Sequence, residues 1–164
     1  MLNLIIFRGP GGSGKSTVAK LLRDKLENKT AILCPDYFYW DVCGKDENSE
    51  LVYEALYRLV DLYLSKNYNV ILEGVLSSKI DTLPRIKKII SLGNKYSAKT
   101  TQFYFEVPLK TSIQRDGKRK IKMGKELAEE IYNKSINSRL HNEIIINTEN
   151  KKPVEVLNLV LSKI

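Results

Sequence analysis

The chain has 164 residues, of which 43% are hydrophobic and 28% charged, and these values are typical of one soluble globular domain. The formal net charge of +8 favours anionic partners such as nucleotides, phosphorylated metabolites or nucleic acid, although a lysine-rich composition alone would also produce it. Every apolar run is too short to cross a membrane, and the two cysteines, Cys34 and Cys43, fit a reducing compartment. We therefore expect a cytoplasmic protein with no membrane segment, and with His141 as the single histidine a zinc site is disfavoured.

Apolar runs alternate with amphipathic segments along the whole chain. The apolar runs predict five strands, over residues 2–7, 30–34, 69–72, 101–107 and 143–146. Apolar residues at helical spacing predict helices over residues 15–27, 49–65, a stretch that begins after Pro84, 109–120, the sequence KELAEEIYNKS after Gly124, and 153–163. This alternation predicts a single α/β domain over residues 1–164, built as three layers around a mostly parallel sheet.

The first predicted strand leads into the glycine-rich sequence GPGGSGKS, which matches the pattern G-x-x-x-x-G-K-[ST]. Glycine allows backbone N–H groups to wrap a polyphosphate, and the following helix N-terminus attracts anions. Lys15 is expected to reach the β- and γ-phosphates, while the Ser16 hydroxyl ligates Mg²⁺. The predicted nucleotide is ATP, with GTP as the alternative. The predicted nucleotide-binding residues in this stretch are Gly9, Pro10, Gly11, Gly12, Ser13, Gly14, Lys15, Ser16 and Thr17.

This loop and the order of the predicted elements resemble the small P-loop kinases. That group includes polynucleotide 5′-kinase, chloramphenicol phosphotransferase, gluconate kinase, shikimate kinase and the zeta-toxin kinases. The resemblance implies a five-stranded parallel sheet in strand order 2-3-1-4-5 and a helical lid over about residues 115–138. It also implies Mg-ATP as the phosphoryl donor.

The sequence AILCPDYFYW places Asp36 directly after the second predicted strand. In open α/β sheets, ligands bind at the carboxyl ends of the strands. The related kinases have an acidic base here that orients the acceptor hydroxyl, so the resemblance assigns this role to Asp36; the alternative is a turn aspartate after a proline. Polynucleotide kinases have an arginine just beyond a similar Asp-Tyr pair, whereas this chain continues with the aromatic residues 38–40. These aromatic side chains suit stacking on a base or packing of the loop.

The sequence NVILEG places Glu73 at the end of the third predicted strand. This is the Walker B position, and the Glu-Gly pair is similar to that of uridine kinase. We predict Ser16 and Glu73 as the magnesium ligands, with orientation of the acceptor as the alternative role of Glu73.

The sequence IQRDGKRKIKMGK is rich in basic residues and precedes the helix expected in the lid. Polynucleotide kinase has a similar basic run at this place. Arg115 and Arg119 would share one helix face and cover the γ-phosphoryl group, and Arg115 is also predicted to bind the nucleotide. A solvated charge run is the alternative. In the last predicted strand-loop-helix unit, Thr148 is predicted to border the adenine, although the same residues also suit a simple turn.

Together, these patterns predict an ATP-dependent phosphotransferase that moves the γ-phosphoryl group of Mg-ATP to a hydroxyl of a small molecule or of a nucleic-acid 5′ end. Its predicted catalytic residues are Lys15, Asp36, Arg115 and Arg119. Two alternatives stay open. A nucleoside monophosphate kinase would need an arginine between the second and third strands, where Arg58 is the only one and lies within a predicted helix. A nucleotide-gated regulatory module without chemistry would need no acceptor base.

Overall fold

A five-stranded parallel sheet forms the centre of the molecule. The structure, a computed structural model, describes residues 1–44, 49–76, 82–118 and 123–164. The strands are β1 (Asn3–Arg8), β2 (Thr30–Leu33), β3 (Asn69–Glu73), β4 (Lys99–Glu106) and β5 (Ile144–Asn147). They lie in the order β2-β3-β1-β4-β5, and all neighbouring strands pair in parallel. The predicted α/β fold and strand order are therefore confirmed.

Helices connect the strands and cover both faces of the sheet. They are α1 (Lys15–Arg23), α2 (Pro35–Tyr37), α3 (Ser49–Ser65), α4 (Thr82–Lys95), α5 (Leu109–Asp116), α6 (Lys125–Asn137) and α7 (Pro153–Leu161). A π-helical turn over Phe38–Val42 continues α2. Helix α3 has its predicted bounds. In the part of the chain that the structure describes, no helix is both long and apolar enough to span a membrane.

Several helix ends differ from the sequence prediction for local reasons. Helix α5 ends at Asp116, earlier than predicted, and residues 117 and 118 form a turn. Helix α4 begins two residues before Pro84, since proline is tolerated in the first helical turn. Residues 35–42 form helical turns where no helix was predicted, and Pro35 at the first helical position favours this start.

The alternation of side chains along β1 creates the two halves of the core. Leu4 and Ile6 belong to a buried cluster with residues of α3 and α4, whereas Ile5 and Phe7 belong to a cluster with residues of α1 and α7. Because both faces of β1 are covered, this strand reads as a continuous apolar run in the sequence. The carboxyl end of β1 is therefore held rigidly at the middle of the sheet.

The last residue of β1, Arg8, is a fully buried arginine. Its Nη1 donates a hydrogen bond to Oε1 of Glu143 at 2.7 Å, and its Nη2 donates to the carbonyl and hydroxyl oxygens of Ser138 at 2.9 and 3.0 Å. The second carboxylate oxygen of Glu143 accepts the N–H of Leu140 at 2.7 Å. The bridge joins residues 135 positions apart in the chain, and it fixes the segment after α6 to the strand that leads into the glycine-rich loop.

We predict that Glu143→Ala lowers the free energy of unfolding by about 3–5 kcal/mol, because it leaves the buried Arg8 guanidinium without its carboxylate. Urea denaturation followed by circular dichroism would measure the change. Glu54→Ala is the matched control, since Glu54 pairs with Arg58 and Lys88 in solvent and its removal should change the denaturation midpoint little. Equal losses in both variants would show that the buried pair contributes no more than a surface pair.

Candidate active site

Glycines shape the loop that follows β1. Gly9 has a φ of +140°, and a Cβ atom there would lie 2.4 Å from the carbonyl oxygen of Phe105 in β4. Gly12 and Gly14 also have positive φ angles, of +69° and +91°. Glycine adopts these angles at little cost, so the loop can curve tightly while it lies against the end of β4.

The Lys15 ammonium group lies on the inside of this curve. Its Nζ donates hydrogen bonds to the carbonyl oxygens of Gly9 and Pro10, both at 2.8 Å, and to the hydroxyl oxygen of Ser13 at 3.2 Å. Lys15 is only 7% exposed. The loop therefore holds a positive charge at its centre, as binding of a polyphosphate requires.

The N-terminus of α1 completes the anion-binding geometry. Gly14 is the N-cap residue and makes no side-chain cap, so the first-turn N–H groups lack a side-chain acceptor from this residue. Ser16 and Thr17 in this turn are exposed. The unpaired N–H groups and the helix dipole favour a negatively charged ligand at this end.

Helix α5 supports the glycine-rich loop from outside. The Ser112 hydroxyl donates a hydrogen bond to the carbonyl oxygen of Gly11 at 2.7 Å. The Arg115 guanidinium donates from Nη1 to the carbonyl oxygen of Gly12 at 3.1 Å and from Nη2 to the carbonyl oxygen of Thr148 at 3.0 Å. Arg115 thus bridges the loop after β1 to the loop after β5, a contact that the sequence did not predict.

A cavity of about 320 Å³ lies beside the Arg115 bridge. Thr148, predicted to border a base, is among its lining residues, and its Oγ1 donates to the carbonyl oxygen of Glu106 at 3.1 Å. The cavity is lined by Gly12, Ser13, Gly14, Thr17, Val18, Arg115, Thr148, Lys151, Pro153 and Val156. It therefore extends from the glycine-rich loop to the start of α7, with polar groups at one end and apolar side chains at the other.

Two carboxylates meet at the carboxyl ends of β2 and β3. Leu33 pairs with Leu72 in the sheet, so Cys34 and Glu73 follow at the same edge. Burial raises the pKa of the Cys34 thiol to about 12, and the nearby carboxylates of Glu73 and Asp36 raise it as well. Asp36 is exposed on α2, whereas Glu73 is 6% exposed. The structure therefore brings both sequence-predicted acidic residues to one crevice beside the glycine-rich loop.

The oxygen groups at this edge are suited to a magnesium ion. Mg²⁺ prefers oxygen ligands and is usually held by one or two carboxylates together with substrate phosphates and water. Ser16 offers a hydroxyl, and the Glu73 carboxylate accepts no hydrogen bond from any described residue. Within the described ranges no group of three or more His, Cys, Asp or Glu side chains forms a metal cage. A magnesium ion shared with a nucleotide fits this donor set.

Part of the predicted basic run, including Arg119, lies outside the described residues. Arg115 is on α5, which ends at Asp116, and the predicted shared face of Arg115 and Arg119 falls partly outside the described residues. After residues 119–122, the N–H of Met123 donates to Oδ2 of Asp116 at 3.0 Å. The Met123 side chain lies over Gly11, where a Cβ atom would be 2.8 Å from its terminal methyl carbon. The flanks of residues 119–122 therefore both lie near the glycine-rich loop.

Sequence reasoning missed an arginine that approaches the crevice from α4. The Arg85 guanidinium carbon lies 3.9 Å from the centre of the Tyr53 ring, and its Nη2 donates to the Ser49 hydroxyl at 3.2 Å. The Tyr39 hydroxyl is part of the same cluster, because Arg85 and Ser49 both affect its pKa. No local pattern marks Arg85 in the sequence, since its neighbours come from α3 and the π-helical turn.

A family model described as an AAA domain matches residues 4–139, which is most of the chain. No curated protein has a significantly similar sequence.

Solved structures of kinases share the fold over almost the whole chain. The APS kinase CysC of Mycobacterium tuberculosis, in complex with AMPPNP and APS, is 17% identical with a TM-score of 0.69, over 98% of this chain and 96% of that one. A gluconokinase from Sinorhizobium meliloti is 10% identical with a TM-score of 0.68, over 98% and 90% of the two chains. A chain of the Pnkp1/Rnl/Hen1 RNA repair complex is 20% identical with a TM-score of 0.68, over 92% of this chain and 50% of that one. The predicted resemblance to small P-loop kinases is confirmed at the level of fold.

We predict that Gly12→Ala weakens binding of a fluorescent ATP analogue by tenfold or more, whereas Gly44→Ala leaves it unchanged. Both glycines have a positive φ, of +69° and +62°, so both substitutions introduce a strain of about 1–2 kcal/mol. Only at Gly12 would the new Cβ also approach a neighbour, the carbonyl oxygen of Ser112, at 2.8 Å. Equal binding by the two variants would contradict a role of the contact between α5 and the loop.

Proposed function

Because the chain belongs to the AAA-domain family of P-loop proteins, we propose that it is an ATP-dependent phosphotransferase whose acceptor is a hydroxyl group. The reaction transfers the γ-phosphoryl group of ATP. A bond forms between the acceptor oxygen and the γ-phosphorus, the bond between the γ-phosphorus and the β,γ-bridging oxygen breaks, and ADP leaves. The proton of the acceptor hydroxyl passes to a carboxylate of the protein or to water.

The observation that carries this proposal is the position of the P-loop after β1 and of two carboxylates at the ends of β2 and β3, all at the same edge of the parallel sheet. A protein that only bound Mg-ATP would need the P-loop and one carboxylate for the metal ion, but no second carboxylate to orient an acceptor. Asp36 and Glu73 both lie close enough to Cys34 to raise the pKa of its thiol, and a Cβ atom on Gly74 would lie 3.3 Å from Cδ of Pro35 beside them. The crevice therefore contains both a phosphate site and groups that can orient a hydroxyl.

In this proposal the P-loop and the N-terminus of α1 bind the triphosphate. The Lys15 ammonium exchanges carbonyl oxygens of the loop for β- and γ-phosphate oxygens, and the backbone N–H groups of residues 14–17 donate to the phosphates. Ser16 and Glu73 would hold Mg²⁺, which when bound neutralises charge on the phosphates. The cavity beside Thr148 accommodates the nucleoside.

Arg115 has the contacts of a residue that organises the nucleotide pocket. Its guanidinium already donates to the carbonyl oxygens of Gly12 and Thr148, so it would have to leave them to cover the γ-phosphoryl group. We propose that Arg115 acts chiefly on nucleotide binding and that the cationic cover of the γ-phosphoryl group comes from Arg119. The helical lid over about residues 115–138 remains part of this proposal.

Asp36 is the better candidate for the group that orients the acceptor hydroxyl. Its side chain is exposed on α2, whereas Glu73 is nearly buried as the last residue of β3, where it pairs with Phe7 of β1. The acceptor then lies between α2, the π-helical turn and the P-loop, where the side chains of Tyr37 and Trp40 are each 58% exposed. A small molecule and a nucleic-acid 5′ end are both compatible with this opening.

We predict that Lys15→Ala abolishes phosphoryl transfer and weakens ATP binding, because it removes the positive charge at the centre of the loop. Release of labelled phosphate from ATP and transfer to pools of nucleosides, sugars and 5′-hydroxyl oligonucleotides would be measured. Lys20→Ala, on the exposed face of the same helix, is the control and should retain activity. Undiminished turnover in Lys15→Ala would remove the kinase proposal.

We predict that Asp36→Asn lowers kcat by about 10²-fold or more while ATP binding is retained, because a carboxylate that accepts the acceptor's proton contributes about this much. Transfer and ATP-analogue binding would be measured on the same preparation. Asp41→Asn, in the adjoining π-helical turn, is the control. Full transfer by Asp36→Asn would reassign the base to Glu73 or indicate an acceptor that is already anionic, and loss of ATP binding would assign Asp36 to the nucleotide site.

A further inference from the structure

A cluster of hydrogen-bond donors lies at the acceptor side of the crevice. It consists of Arg85 on α4, Tyr53 and Ser49 on α3, and Tyr39 in the π-helical turn. The Arg85 guanidinium stacks on the Tyr53 ring at 3.9 Å and donates to the Ser49 hydroxyl at 3.2 Å. Tyr53 is 4% exposed, whereas Arg85, Tyr39 and Ser49 are half-buried. Three segments that are distant in the sequence thus contribute to one polar group of side chains.

The charge of Arg85 has no carboxylate beside it among the described residues. Arg8 and Arg58, in contrast, are paired: the guanidinium of Arg8 lies 2.7 Å from Glu143, and that of Arg58 lies 3.0 Å from Glu54. A partly desolvated guanidinium costs free energy unless an anion or a set of hydrogen-bond acceptors compensates it. At Arg85, within the described ranges, the neighbours are an aromatic ring and hydroxyl groups.

The direction of the hydrogen bonds shows which kind of ligand this cluster can bind. A guanidinium only donates, so the Ser49 hydroxyl accepts from Arg85 through an oxygen lone pair. Ser49 also shares a side-chain hydrogen bond with Tyr39, which leaves one hydroxyl hydrogen of this pair for another acceptor. Burial raises the pKa of Tyr39 and raises the pKa of Tyr53 to about 12, although Arg85 lowers both pKa values. Both phenols therefore stay protonated at neutral pH. The cluster therefore presents donors and positive charge, and its complement is a group that has several acceptor oxygens and a negative charge.

The cluster lies next to the proposed catalytic base. Tyr39 follows Asp36 by three residues in a helical segment, so the two side chains share one face. A molecule bound in the crevice can thus reach Asp36 with one group and the Arg85 cluster with another. The P-loop follows β1 and contributes no residue to the Arg85 cluster, so it remains available for the nucleotide.

We propose that Arg85, together with the hydroxyl groups of Tyr39 and Ser49, binds an anionic group of the acceptor, a phosphate or a carboxylate, while the acceptor's reacting hydroxyl lies at Asp36. This inference rests on the proposed phosphotransferase function and narrows its substrate class to hydroxyl compounds that carry a negative charge. The sequence suggested otherwise, because Arg58 is the only arginine between β2 and β3. That residue pairs with Glu54 in solvent, and the arginine that approaches the crevice comes from α4.

The first experiment measures binding without chemistry. Trp40 is the only tryptophan and neighbours Tyr39, so its fluorescence reports on this part of the crevice. Matched probes would be titrated with and without a non-hydrolysable Mg-ATP analogue: glycerol 3-phosphate against glycerol, gluconate against glucose, and adenosine 3′-phosphate against adenosine. We expect the charged member of at least one pair to bind tenfold or more tightly than its neutral partner, and the pair that responds distinguishes a phosphate from a carboxylate.

Variants of Arg85 then test whether this residue causes the tighter binding of the charged probe. Arg85→Met should weaken binding of the charged probe by about tenfold or more. Arg85→Lys keeps the positive charge but loses the planar pair of N–H donors, so its affinity for the charged probe should lie between those of Arg85→Met and the wild type. Lys88→Met is the matched control, because the Lys88 ammonium also lies over a tyrosine ring, that of Tyr57 at 4.0 Å, on the same helix. Thermal unfolding would verify the fold of each variant. Unchanged binding in both Arg85 variants, or equal binding of charged and neutral probes, would overturn the proposal.

Transfer of labelled phosphate to the same probes separates this inference from the proposed function. Transfer to charged probes, with a raised KM and a nearly unchanged kcat in Arg85→Lys, supports both. Arg85-dependent binding of an anion without any transfer supports the anion site and contradicts the kinase. Equal transfer to the neutral and charged members of every pair supports the kinase and contradicts the anion site. A charged probe that is phosphorylated equally well by Asp36→Asn contradicts the placement of the reacting hydroxyl at Asp36.

Discussion

The position directly after β1, Gly9, has no room for a side chain, and the geometry of the candidate site depends on this constraint. A Cβ atom on Gly9 would lie 2.4 Å from the Phe105 carbonyl oxygen, a distance that no folded protein tolerates without rearrangement. The loop can therefore pass close to β4 only with glycine at this position. That close passage places Lys15 inside the loop, directs α1 at the crevice, and brings the carbonyl oxygens of Gly11 and Gly12 within reach of α5.

The sequence predicted those features that depend on a local pattern. The strands of the central sheet are continuous apolar runs because both faces are covered, and the glycine-rich loop has its residues at fixed spacing. The alternation of strands and helices led directly to the parallel sheet. Asp36 and Glu73 were proposed because each lies at the carboxyl end of a predicted strand, and all strands of a parallel sheet end at the same edge.

The missed features depend on contacts between distant segments. Arg85 is surrounded by ordinary helical residues in the sequence, and only the packing of α4 on α3 brings it to Tyr53. Arg8 directly follows an apolar run, and its partner Glu143 is 135 residues away. The bridge from Arg115 to Thr148 joins α5 to the loop after β5, whereas the sequence suggested only a charged helix face. In each case the side chain's environment is a product of tertiary packing, to which hydrophobic periodicity is insensitive.

The bridge between Arg8 and Glu143 also has a consequence for the order in which the protein assembles during synthesis. β1 occupies the centre of the sheet, between β3 and β4. The only neighbouring strands of this sheet that are also consecutive in the chain are β2 with β3 and β4 with β5, so both edges of β1 can be paired only after β3 and β4 have left the ribosome. Even then, the Arg8 guanidinium would be enclosed without its carboxylate until residue 143 emerges. The nascent chain thus has a strong electrostatic reason to delay closure of its core until about the last seventh of the polypeptide is available, and a chain that stops short of β5 would expose that unfinished face to chaperones.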